Sequence, residues 1–258
     1  MNGLDPAAIV ILLGLGLAVG SFLNVCIHRL PLGQSLVSPG SRCPNCGYEL
    51  RWFDNIPVVS YALLAGKCRK CRTGISIRYP IVELITMGLF LVHGLVFGWT
   101  LLLAVRFAFG CAMVVLFSID LEHQILPDVI TLPGIVIGLA VSAFLPPGLT
   151  SAFLGALVGG GVLFVIGEAW YRLRGIEAMG FGDVKMLAMI GALLGLKLVI
   201  LTFVVSSFIG GIVGAILIVT RRGSLASKVP FGTFIAIAAL IASLWGDAMA
   251  DWYLGLYM

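Results

Sequence analysis

The chain has 258 residues, of which 60% are hydrophobic and only 11% charged, with a mean hydropathy of +1.11. A soluble domain carries about 25% charged residues, so a chain this apolar could not cover itself with polar surface in water and fits a bilayer. The net charge of +4 does not point to nucleic acid, because no stacking platform or base-reading motif accompanies it.

The first apolar stretch, residues 7–28, is too long for a signal-peptide core and no small-residue cleavage site follows it, so it reads as a retained membrane helix. Seven more apolar stretches approach the ~20 residues a spanning helix needs. Their expected spans are 81–98, 101–119, 129–146, 150–171, 184–197, 199–220 and 229–247. The expected fold is an all-α polytopic membrane protein of about eight transmembrane helices. No internal repeat of the kind transporters carry is visible, which disfavours a transporter or passive scaffold.

Lysine and arginine set the expected orientation. The loops after the first, fifth and seventh stretches hold thirteen of the sixteen basic residues, including Arg172, Arg174, Arg221, Arg222 and Lys228. With eight helices these loops share one side. That side is then cytoplasmic, and both termini are periplasmic. Glu83, Arg106 and Glu168 lie at or within spans, where a charge is costly and marks either function or an interfacial pair.

Residues 31–80 form a separate cytoplasmic insert between a first helix at 1–30 and a helical domain at 81–258. The insert contains Cys43-Pro44-Asn45-Cys46 and Cys68-Arg69-Lys70-Cys71, with 21 residues between the pairs. Two CxxC pairs at this spacing read as a zinc site. Four thiolates complete a tetrahedron and leave no open position, so the metal is expected to be structural. A reducing cytoplasm argues against disulfides; the competing reading is four free thiols or a redox pair. A 50-residue insert has little core of its own and needs such a staple, around which Trp52, Phe53, Ile56, Pro57 and Tyr61 are expected to pack and meet the membrane surface. Cys26 and Cys111 read as small apolar residues of membrane helices.

The stretch Ser118-Ile119-Asp120-Leu121-Glu122-His123 ends the third span, and Gly180-Phe181-Gly182-Asp183 opens the sixth. Both fall on the cytoplasmic side in the expected topology, so Asp120 and Asp183 can meet at one depth. Two adjacent carboxylates cannot easily both ionise and hold one proton between them, the arrangement of an aspartic protease. Glu122 and His123 are rivals for the first acid, and a helix N-cap is the competing role for Asp183. For Asp128, after Pro127, the N-cap reading is preferred. Gly180 and Gly182 would permit close approach and unusual dihedrals beside the carboxylate.

Taken in order, Gly20-Ser21-Phe22-Leu23-Asn24-Val25, Arg29-Leu30-Pro31, the first CxxC pair, Asn55-Ile56-Pro57, the second pair, Arg78-Tyr79-Pro80-Ile81-Val82-Glu83, Asp120 to Asp128, Gly180 to Asp183 and Pro230-Phe231-Gly232 resemble the bacterial type IV prepilin peptidases over nearly the whole chain. The resemblance implies catalytic aspartates at Asp120 and Asp183 and a substrate that is a prepilin or pseudopilin. It implies cleavage after a glycine at the cytoplasmic face of the inner membrane, then methylation of the new amine by S-adenosylmethionine. The four cysteines imply the bifunctional type over a peptidase without methylation. No Rossmann-like pattern for the methyl donor is present, so its residues and the oligomeric state stay open.

Overall fold

The computed structural model describes residues 4–175, 180–220 and 230–255. Arg221, Arg222 and Lys228 lie outside the described residues. The fold is helical, with α1 (Pro6–Arg29), α2 (Val59–Leu63), α3 (Arg78–Phe97), α4 (Leu101–His123), α5 (Asp128–Ser142), α6 (Leu149–Arg174), α7 (Phe181–Val219) and α8 (Phe231–Gly255). Six of these, α1, α3, α4, α6, α7 and α8, are long and apolar enough to cross a membrane. Two compact units divide the chain, Met1–Val115 and Leu116–Met258.

In the first unit α1 packs on α3 through glycine. A Cβ on Gly16 would lie 2.6 Å from Met87 Cα, and one on Gly20 would lie 2.7 Å from Glu83 Cα. Four-residue spacing puts both glycines on one face of α1, and without side chains there the backbones meet closely, the usual basis of helix association in lipid. The buried Asn24 amide donates to Gly20 O and Tyr79 O. Asp5 caps α1 by accepting from Ala8 N–H. Arg106 is buried and lies over the Phe97 ring.

In the second unit α7 is two helices joined at Gly195, whose φ of +84° and ψ of 177° are not helical. A Cβ on Gly159 of α6 would touch Leu187 O at 2.6 Å and Val199 Cγ2 at 2.8 Å. In a straight helix those residues would stand ~18 Å apart. The chain therefore turns back at Gly195, and residues 181–194 and 196–219 run against α6 in opposite directions. The expected break at 198 falls three residues late. Ser151 Oγ accepts from Leu196 N–H, and Ser142 Oγ donates to Ala192 O, which satisfies polar groups that lipid could not.

The two strands of this hairpin differ in their neighbours. Gly134 and Gly138 of α5 meet Met189 and Ala192, while Gly246 of α8 meets Leu198 and Gly210 meets Phe234. So α8 runs antiparallel to residues 196–219. Lys197 Nζ clasps two acids of α8, Asp247 at 3.1 Å and Asp251 at 2.8 Å. Glu168 pairs with Arg172 one turn on. Large apolar side chains such as Phe153, Phe208 and Ile212 face outward, as lipid-facing residues do.

The candidate acid pair and the four-cysteine cluster

Asp120 lies in the last turn of α4 and Asp183 in the first turn of α7. They are 5% and 8% exposed, whereas Glu122 and His123 are exposed and pair with each other at 3.8 Å. Burial thus separates the acid at 120 from its two rivals. Gln124, at φ +53°, closes α4 by donating its N–H to Asp120 O.

Asp120 Oδ2 accepts two hydrogen bonds from one residue, Thr233: the backbone N–H at 2.7 Å and the hydroxyl at 3.0 Å. Thr233 is the third residue of α8, where the N–H has no partner within its own helix. The positive end of the α8 dipole adds to this hold on an anion. Gly232 makes the approach possible, since a Cβ there would sit 2.9 Å from Asp120 Oδ2. Asp183 is near enough for the charge of Asp120 to act on it. Among the described residues none hydrogen-bonds the Asp183 carboxyl. The site therefore holds one carboxylate pinned through a single oxygen and a second that is buried and unpinned.

Asp183 is not the N-cap of α7; Gly180 occupies that position and Asp183 N–H donates to Gly180 O. Nor is Asp128 a cap. Pro127 precedes α5 in extended backbone, and the Asp128 carboxylate pairs with Lys185, which also lies over the Phe181 ring. The glycine expectation is corrected as well. Gly180 has φ −69° and Gly182 is not in the left-handed region, so unusual dihedrals are not what either supplies. Gly182 instead makes room for Leu126, whose Cβ would be 3.0 Å from a Cβ at that position. Leu126 also reaches Gly232. It wedges between the starts of α7 and α8. Thr233 carries no motif and Leu126 has no role of its own within the Asp120–Asp128 stretch; only Gly182 beside Asp183 and Gly232 beside Thr233 hint at close packing.

The four sulfurs of Cys43, Cys46, Cys68 and Cys71 all lie within 4.8 Å of one another. Cys43 and Cys71 are 3.8 Å apart, and Cys46 and Cys68 are 4.0 Å apart. Disulfides at ~2.05 Å are excluded. The edge of a zinc–sulfur tetrahedron with 2.3 Å bonds is ~3.8 Å, so the cluster fits a four-coordinate metal. The two CxxC turns repeat one hydrogen-bond pattern. Cys43 N–H donates to Tyr48 O and Gly47 N–H to Cys43 O; Cys68 N–H donates to Thr73 O and Arg72 N–H to Cys68 O. The hydroxyl and amide of Thr73 pull the Cys71 thiol down to about 5. The backbone amides of Cys46 and Asn45 lower Cys43. Against the pull of the Tyr48 amide, burial and the other sulfurs push Cys46 up to about 11. A cation among the four relieves that crowding.

Asp54 ties the two turns together, accepting from Arg69 Nε at 2.7 Å, Arg51 N–H and Tyr48 OH. Trp52 is 80% exposed and meets Phe53 edge-on instead of packing around the sulfurs. At the base of the loop Glu83 Oε2 accepts from Val58 N–H at 2.7 Å.

Residues 14–97 match the Bacterial Peptidase A24 N-terminal domain and residues 107–215 match the Type IV leader peptidase family. The chain is 40% identical to a prepilin leader peptidase/N-methyltransferase of Pseudomonas aeruginosa, covering 93% of this chain and 91% of that one. It is 36% identical to proteins of the same name from Stutzerimonas stutzeri, covering 97% and 95%, and from Xanthomonas campestris, covering 93% and 92%. No solved structure matches the chain.

Proposed function

Because the chain belongs to the prepilin leader peptidase/N-methyltransferase family, we propose that it removes the basic leader of a type IV prepilin or pseudopilin after a glycine and then methylates the new N-terminal amine. Asp120 and Asp183 are the catalytic pair. The observation that carries this reading is their joint burial at two helix ends with interacting charges, fed by residues 63 positions apart in the sequence.

One proton shared by the pair suffices for the chemistry. The ionised carboxyl takes a proton from water as the water oxygen bonds to the scissile carbonyl carbon. The protonated carboxyl gives its proton to the carbonyl oxygen, and a neutral diol forms. On collapse one diol proton returns to the second carboxyl. The proton held by the first passes to the leaving nitrogen, and the carbon–nitrogen bond breaks. One water is consumed and the pair is restored. A substrate anchored by its own apolar helix searches in two dimensions and presents the bond in a fixed orientation.

Eight crossings, counting the α7 hairpin as two and the shorter α5 as one, put the basic loops and both aspartates on the cytoplasmic side of the inner membrane, with periplasmic termini. The division into residues 1–30, 31–80 and 81–258 follows from that topology. The cysteine cluster holds structural Zn2+. S-adenosylmethionine supplies the methyl group near the 31–80 loop. The new α-amine, with an ordinary pKa near 8, has a neutral fraction ready to attack.

Asp120→Asn and Asp183→Asn, purified in detergent and mixed with a prepilin, test the reading. Each is expected to insert and fold yet leave the leader uncut. Normal processing by either removes the mechanism. Mass spectrometry of the cleaved product with S-adenosylmethionine present is expected to show one added methyl group; an unmodified amine removes the second activity.

A further inference from the structure

We propose that Thr233 is a positioning residue that divides the labour of the acid pair, keeping Asp120 as the carboxylate that takes the proton from water and leaving Asp183 to carry the shared proton. This rests on the reading of both residues as the catalytic pair.

Three observations support it. Both donors of Thr233 converge on Oδ2 of Asp120, so that oxygen is occupied, whereas Oδ1 accepts no hydrogen bond among the described residues. Bonds from neutral donors to a carboxylate favour its ionised form and fix its plane. Asp183 is as buried as Asp120 but has no such donors among the described residues, so no hydrogen bond there holds its carboxyl as the anion. Thr233 itself is 4% exposed, so its hydroxyl cannot exchange this partner for bulk water. The asymmetry is built into α8: Gly232 brings the helix start against the carboxyl, and the next residue supplies two donors at once.

The division also fits the order of proton transfers. The water-activating carboxyl must start ionised and aligned, and the one facing the carbonyl oxygen must start protonated. Without Thr233 the proton would distribute between the two acids, and only a fraction of molecules would start in the productive arrangement.

The test measures kcat and KM of Thr233→Val, Thr233→Ser and Asp120→Asn on a prepilin segment carrying its leader and apolar helix. Valine keeps the shape and the N–H but deletes the hydroxyl. Its kcat is expected to fall roughly ten- to hundredfold, the range for one bond to a charged group, with KM within about twofold. Serine is expected to recover most of the loss. A valine variant with unchanged kcat, a loss expressed in KM alone, or a serine variant as impaired as valine overturns the proposal. Should the valine protein fail to accumulate, Thr233→Ala deletes the same hydroxyl without adding a methyl and is judged by the same criteria. Asp120→Asn separates the two claims. If it cuts normally, the catalytic reading itself fails; if it is inactive while valine is not, only the role of Thr233 fails.

Discussion

Gly155 of α6 and Gly191 of α7 approach so closely that a Cβ on Gly155 would lie 2.5 Å from Gly191 O, and one on Gly191 would lie 2.1 Å from Gly155 O. The obstruction is backbone on both sides, so no rotamer change relieves it. With Gly159 beside them, this contact holds the α7 hairpin against α6, and the first turn of the same helix carries Asp183.

Gly155→Ala and Gly191→Ala are therefore expected to cost more than the usual 1–3 kcal/mol of an overpacked core, while Gly161→Ala, whose Cβ meets nothing within 4 Å, is expected to be neutral or to stabilise α6 by about 1 kcal/mol through helix propensity. Thermal unfolding in one detergent compares the three. Equal melting temperatures would mean that the glycine seam is not tight.

Glu83 holds the loop through a strained residue. Val58, β-branched, sits at φ +59°, a region costly for such a side chain, and Glu83 accepts its N–H. Glu83→Leu is expected to cost about 1–3 kcal/mol by stranding that donor. Hydrogen exchange at the Val58 amide should accelerate at least tenfold, and unchanged protection would count against the tether.

Asp54 carries a pH signature. Burial works against its charge, but the Arg69 side chain, the Arg51 amide and Tyr48 hold its carboxyl below the usual carboxylate range. A depressed folded value contributes stability above the unfolded value, near 3.9, and the contribution is lost as pH falls through the folded value. At neutral pH Asp54→Asn should melt roughly 2–4 °C lower. The gap should persist down to about pH 4 and close below it. A gap that closes near pH 6 would contradict the assignment.

Both cysteine turns place a left-handed residue directly after the second cysteine. Gly47 at φ +68° in the first corresponds to Arg72 at φ +60° in the second. Arg72→Gly is expected to stabilise the loop by roughly 0.5–1 kcal/mol. Purified protein should contain one zinc per chain, and Cys43→Ser with Cys68→Ser should remove it. A chelator should strip zinc more slowly from the glycine variant than from the parent.

Local patterns were readable before any fold was known. The CxxC pairs needed only their spacing, because each turn is built from six successive residues. Asp120 and Asp183 stood out because each adjoins an apolar run. The α7 reversal was harder: residues 186–219 carry no charge apart from Lys197, and the break falls at Gly195, where the deciding fact is the crowding of Pro147 and Ser151 around its Cα. Thr233 was invisible, since a threonine 113 residues from Asp120 carries no pattern of its own. Leu126 and Glu83 stand inside the stretches that carry the resemblance, and the charge of Glu83 marks it, but their partners depend on how loops close. Asp128 misled for the opposite reason. Its local context fits a cap, but Lys185 from another helix outcompetes the backbone.

Thr233 and the clasp formed by Lys197 with Asp247 and Asp251 fasten α8 at two heights. Fourteen to eighteen residues separate them, or ~21–27 Å of helix, somewhat less than the ~30 Å hydrocarbon slab. On the topology proposed above, a clasp among the outer headgroups sets Thr233, and the Asp120 carboxylate it holds, a few ångströms beneath the inner headgroup boundary. On that proposal a scissile bond reaching Asp120 leaves the aqueous phase, the water consumed there has entered a largely oily recess, and the thickness of the host bilayer becomes a variable in turnover.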